Sequence, residues 1–123
     1  MASKEPTESK PMIAIRKLAL GYPEVEETDS CVHRAFKARG KSFVFLGMKD
    51  ETYSVRLKLK DSLDEAESLA AESPENFDVG MHGWTLVTFP HSRSPPRGLM
   101  KRWIDESFRL LAPRSLVAEL SRD

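Results

Sequence analysis

Arg56, Lys58 and Lys60 stand at alternate positions of the run Thr52-Tyr53-Ser54-Val55-Arg56-Leu57-Lys58-Leu59-Lys60. Polar and apolar residues taking turns mark a strand with one buried and one wet face, so the three cations project from the same side. A row of cations at strand spacing suits phosphate groups, an acidic protein surface or plain solvent. Lys37 and Arg39, at odd positions of an earlier β-rich run, join that row if the register turns those positions outward. Arg93 and Arg97 extend it from the basic, proline-bearing loop Ser92-Arg93-Ser94-Pro95-Pro96-Arg97. These seven cations are the candidate nucleic-acid-binding residues.

Other chemistry is weaker. Cys31 and His33 sit two apart on a strand and share a face, but no third group orients them as nucleophile and base. With Cys31, His33, His82 and His91 scattered, no zinc-ligand spacing exists. Glu24-Val25-Glu26-Glu27-Thr28-Asp29 puts four carboxylates in six residues. It lacks the Asp-x-Asp-x-Asp-Gly pattern of a calcium loop and is expected to be a solvated turn. There is no phosphate-cradling glycine loop and no nucleophile elbow. The expectation is no catalytic residue, no metal, no cofactor and no enzyme. His82 beside Trp84 reads as a turn histidine next to a core aromatic. Trp84 itself is expected to be structural, under a helix with Trp103 and Phe108 as covers, because its strand contains no Lys or Arg.

The elements that must position these residues begin with a helix from Pro11, with Met12, Ile15, Leu18, Ala19 and Tyr22 as its apolar stripe. A three-stranded antiparallel meander follows from Cys31 to Lys60, with strands Cys31–Ala38, Ser42–Met48 and Thr52–Lys60. Ser62-Leu63-Asp64-Glu65 reads as a capping box opening a helix that stops near Glu72. Phe77 to Phe89 returns to β character, with Gly80–Gly83 as a turn before the strand Trp84–Phe89. A helix from about Pro96 carries Met100, Trp103, Ile104, Phe108 and Leu111 inward. Its outer face offers Lys101–Asp105, Arg102–Glu106 and Asp105–Arg109 pairs at i,i+4. Pro113 ends that helix, and Ser115 can cap a short last one. The order α-β-β-β-α-β-α-α predicts an α+β fold, an antiparallel sheet of four or five strands with helices packed on one face.

At 123 residues, 40% apolar and 31% charged, the chain has the size and composition of one globular domain. Residues 1–10 are expected to form a flexible tail and 11–123 the domain. No apolar run approaches the length of a membrane helix, and the first ten residues lack a signal-peptide core. A single cysteine excludes an internal disulfide and suits a reducing compartment, so a cytoplasmic monomer is expected. Net charge is zero, with 19 basic and 19 acidic residues, but the charges are segregated. Residues 33–60 carry a local +6, residues 61–78 a local −7 and residues 79–103 a local +4.

Several stretches together carry a family resemblance. They are Arg16-Lys17-Leu18-Ala19-Leu20 with Tyr22-Pro23-Glu24-Val25-Glu26-Glu27, His33 to Phe43, His82-Gly83-Trp84, and Ser107 to Pro113 with Leu116-Val117-Ala118. In that order and spacing the chain resembles the YjbR/MmcQ family of small bacterial proteins, from about Ile13 to Leu120. It departs from the usual pattern at Cys31, where an aromatic is common, and at Arg34, where proline often follows the histidine. The resemblance implies a fold similar to frataxin-like and secretion-chaperone-like domains, and members are commonly labelled DNA-binding proteins. Two functions follow as expectations. One is weak, sequence-independent DNA binding by the basic sheet face. The other is a protein-interaction module that binds no nucleic acid and uses the open face, a sheet edge or the acidic segment 61–78.

Overall fold

The computed structural model describes residues 9–30 and 33–120. Helix α1 (Lys10–Leu20) leads into strands β1 (Val25–Ser30), β2 (His33–Ala38), β3 (Lys41–Met48) and β4 (Thr52–Lys58). Helix α2 (Leu63–Glu72), strands β5 (Phe77–Val79) and β6 (Trp84–Pro90), and helices α3 (Leu99–Leu111) and α4 (Arg114–Leu120) complete the order. The six strands form one antiparallel sheet in the order β1-β2-β3-β4-β6-β5. No described helix is long and apolar enough to cross a membrane.

The α+β class and one-sided helical cover are as expected; the strand count is not. The sixth strand is β1, where a solvated acidic turn was expected. Glu27 and Asp29, two apart on its helix side, both meet cations. Glu27 takes a two-pronged contact from Arg16 on α1, with Nε 2.9 and 3.1 Å from its oxygens. Arg34 on β2 reaches both Glu27 at 3.4 Å and Asp29 at 3.2 Å. Acids disfavour strands in isolation, and here cross-strand and helix partners override that preference. The first strand of the expected meander is described from His33 to Ala38, and the expectation for Cys31 and Val32 lies outside the described residues. The flexible-tail expectation for residues 1–8 lies there too, while Lys10 belongs to α1.

Every second residue of the central strands points into the core. Phe36, Ala38, Val44, Leu46, Tyr53, Val55, Leu57, Val87 and Phe89 are buried against Met12, Ile15, Trp103, Ile104 and Phe108 of the helices. A register irregularity between Phe36 and Lys37 makes Phe43 an extra residue on β3. Phe43 and Val44 therefore both face the core, and Phe43 packs edge-on to Phe108 at 5.1 Å and Tyr22 at 6.0 Å.

A bulge strands backbone groups, and α3 supplies their partner. The buried Ser107 hydroxyl donates to the Phe43 carbonyl at 2.7 Å and accepts the Lys58 N–H at 3.0 Å. Ser107→Ala leaves both without a partner. The expected loss is roughly 1–3 kcal/mol of stability, measured by urea unfolding, whereas substitution at exposed Ser68 should change little.

Several sequence-level contacts re-form elsewhere. The capping box at Ser62 does not close: the Ser62 hydroxyl donates to Glu106 at 2.6 Å, and Glu65 binds Arg102 at 2.9 Å and the Trp103 indole at 3.2 Å. Of the three i,i+4 pairs expected on α3, Arg109–Asp105 forms at 2.7 Å. Ser115 lies inside α4, and its hydroxyl accepts from Arg39 at 2.9 Å. Tertiary partners outbid local ones wherever the helices dock.

Glu106 ties α3 to the turn after β4, accepting from the N–H of Lys60 at 2.6 Å and of Ser62 at 3.1 Å. Burial opposes its charge, but these hydrogen bonds and that of the Ser62 hydroxyl outweigh it and hold the carboxyl below its ordinary value. A depressed folded value means stability that is present above the ordinary glutamate range and lost as pH falls through the lowered value. Glu106→Gln should therefore flatten part of the acid-induced loss below about pH 4.5, seen as a shallower fall of Tm between neutral and acid pH.

Candidate functional site

Helices cover one face of the sheet, and the side chains of the other face stand open. One register row across it reads Thr28, Ala35, Phe45, Arg56, Leu86 and Asp78, running from β1 to β5. The next row reads His33, Gly47, Ser54 and Thr88. On the other side of the first row, Lys58 is paired with Trp84. These positions are fixed by strand parity: Val55, Leu57, Thr85 and Val87 go to the core, so Arg56, Trp84 and Leu86 face out.

Between the strands and the turn Gly80–Gly83 lies a concavity of about 650 Å³. Its floor is Phe45, Ser54, Arg56, Trp84 and Leu86, and its rim includes His33, Lys49, Asp78, Met81 and His82. The Arg56 guanidinium lies over the Trp84 ring, 5.6 Å from its centroid. Phe45 is 6.1 Å from the same ring and tilted 57° to it. No acid pairs with Arg56 among the described residues; its partner is an aromatic face.

The turn that forms the rim has unusual backbone. His82 has φ 59° and Gly83 φ 83°, both left-handed. Histidine tolerates that region better than most residues, and glycine enters it freely. The Gly83 carbonyl accepts from the Leu59 N–H at 2.9 Å, and Gly80 N–H donates to the Trp84 carbonyl at 2.7 Å. Both bonds anchor the turn to the strand ends, leaving Met81 77% exposed at the mouth.

The expected cationic row is only partly assembled. Lys37, Arg56 and Lys58 share the open face, with Glu26 opposite Lys37 on β1. Arg39 sits in the β2–β3 turn and is held by Glu24 at 2.8 and 2.9 Å. That hydrogen-bonded pair lowers the Glu24 carboxyl and raises the Arg39 guanidinium from their ordinary values. Lys60 follows β4 and stays exposed. Arg93 lies over the core residue Phe89 at 5.4 Å, and its carbonyl accepts from the Tyr53 hydroxyl at 2.7 Å. Arg97 lines a separate groove beside α1. Arg93 and Arg97 thus belong to the helical side and do not extend the row.

Trp84 departs from the sequence expectation in what covers it, which is Phe45 and Arg56 and not a helix. It is half-buried on the open face, and the indole that fills the core is Trp103, which is fully buried. Phe45 was missed because Ser42–Met48 is apolar on both faces, which erases the period-two signal. The parity that places Trp84 with Leu86 and Thr88, opposite Val87 and Phe89, is present in the sequence. With Thr85 among the core positions and Leu86 among the open ones, hydropathy alone did not resolve it.

The YjbR family model matches residues 20–110, which span β1 through most of α3 and therefore the whole open face. The chain belongs to the YjbR family. No curated protein and no solved structure matches it. In this YjbR-family chain the matched segment includes Phe45, Arg56, Met81 and Trp84 as well as the cations Lys37 and Lys58.

Proposed function

We propose that this YjbR-family chain is a binding protein, not a catalyst, and that it holds nucleic acid weakly and without sequence preference on the open sheet face. The observation that supports this most is Arg56. It stands at the centre of an uncovered face, free of any acid among the described residues, with Lys58 and Lys37 on the same side. Phosphates are the anions such a surface meets at regular spacing, and contacts to them carry no sequence information. The neutral overall charge gives little long-range attraction, which keeps the affinity modest.

Binding of this kind is strongly salt-dependent. With about three phosphates neutralised, log K should fall with log salt at a slope near −2 to −3, about −0.7 to −0.9 per contact. A slope near zero between about 50 and 200 mM salt contradicts phosphate contact.

The protein-interaction reading has one observation of its own. Met81 and Leu86 expose apolar surface at 77% and 37% beside the cations. A pull-down from native lysate with Leu86→Asp as the control tests it: a partner captured by the parent and lost by the variant favours that reading.

A further inference from the structure

We infer that the open face selects unpaired nucleic acid, with one base stacked against the Trp84–Arg56 pair and the phosphates along the neighbouring cations. This rests on the nucleic-acid reading above and names the ligand class within it. The cations alone would serve duplex or single strand equally; the aromatic groups would not.

Trp84 and Phe45 pack against each other, tilted 57° with centroids 6.1 Å apart, and together line the concavity as one apolar aromatic surface. A planar ring lying in the concavity rests against that surface. The guanidinium over the indole at 5.6 Å adds a second planar, cationic surface of the kind on which bases stack. Interleaved exposed aromatics and cations along one sheet face are the common arrangement for holding single strands.

Dimensions point the same way. A concavity of about 650 Å³ lies inside the range of about 300–1,000 Å³ usual for small-ligand sites. It admits a nucleotide with its sugar, whereas a duplex keeps its base faces stacked inside and presents only its backbone to such a cleft. Met81, exposed at the mouth, offers a polarizable thioether to the edge of a bound ring. Lys49 and Lys58 then flank the path of the chain, one at the concavity's rim and one beside Trp84 in register.

The experiment uses the full chain at about 50 mM salt, where phosphate contacts remain strong. Fluorescence anisotropy compares four probes: a labelled oligothymidine of about 15 nucleotides, an abasic strand of the same length, a duplex of that length, and poly-glutamate. Oligothymidine should bind about tenfold or more tighter than the abasic strand and the duplex, in line with the usual gain from stacking a base. Trp84→Ala should erase that advantage while leaving the abasic affinity unchanged, and Trp84→Phe should restore most of it. Circular dichroism confirms that both variants are folded.

Equal affinity for the strand, the abasic strand and the duplex overturns this inference while leaving nucleic-acid binding standing. No binding to any of the three nucleic acids overturns both. Poly-glutamate binding as tightly as oligothymidine assigns the face to an acidic protein and also overturns the inference. Displacement of oligothymidine by AMP at matching micromolar concentration reassigns the cleft to a free mononucleotide.

Discussion

Truncating Trp103 to Ala lowers the stability of this protein by about 3–5 kcal/mol. Its indole is fully buried, packs edge-on to Phe77 at 6.0 Å and donates to Glu65 at 3.2 Å. The change removes a large apolar volume from the contact of α3 with the sheet and leaves a cavity. It also withdraws a hydrogen bond from Glu65, whose carboxyl is held down by Arg102 first and by this indole after burial's opposing effect. Domains of this size are stable by about 5–15 kcal/mol, so the loss is a large share of the whole. Tm should drop by about 12–20 °C in a thermal melt. Trp84→Ala is the matched control. Its indole is partly buried on the open face, outside the core, and its contacts are a cation–π pair with Arg56 worth about 0.5–1 kcal/mol and a tilted contact with Phe45, so its melt should fall by much less than that of Trp103→Ala. If the two variants exchanged these outcomes, the assignment of one tryptophan to the core and one to the open face would be reversed.

Gly83→Ala carries the second large effect. With φ 83° the position is costly for any residue with a Cβ, about 1–3 kcal/mol in itself. An added Cβ would also collide with the Leu59 carbonyl oxygen, which is backbone and cannot rotate away. The turn must shift, and the Leu59 N–H bond to the Gly83 carbonyl at 2.9 Å weakens with it. A total of roughly 2–4 kcal/mol is expected by denaturant titration, combining strain with a lost hydrogen bond. Gly40→Ala provides the comparison, because its φ is 84° while nothing lies within 4 Å of the added Cβ. It should cost only the conformational term. Equal losses at the two glycines would show that steric contact with Leu59 plays no part.

Most of the fold was legible because its strands and helices obey their own periods. β4 alternates apolar and polar residues, α3 carries a clean apolar stripe, and Pro113 stops it. β1 was hidden for a physical reason: its strand-forming partners are charges on other elements, Arg16 and Arg34, which no local pattern shows. The candidate site was half legible. Alternation placed Arg56 and Lys58 on one wet face, and the structure agrees. It gave no warning that Arg39 is committed to Glu24, or that Arg93 and Arg97 lie across the molecule, because those facts belong to loops. Trp84 was misplaced by an assumption about composition. A large aromatic in a strand without cations looked like core, yet its cation comes from the neighbouring strand, two residues off register.

Charge reversal at the centre of the open face tests the account most directly. Arg56→Glu should be compared with the parent by anisotropy against a labelled single strand at about 50 mM salt, with a thermal melt to show that both are folded. The parent should bind in the micromolar range, and Arg56→Glu should weaken binding at least tenfold while its Tm stays near the parent's. A folded Arg56→Glu protein that binds as tightly as the parent, or a parent that binds nothing, would contradict the assignment of this face to nucleic acid.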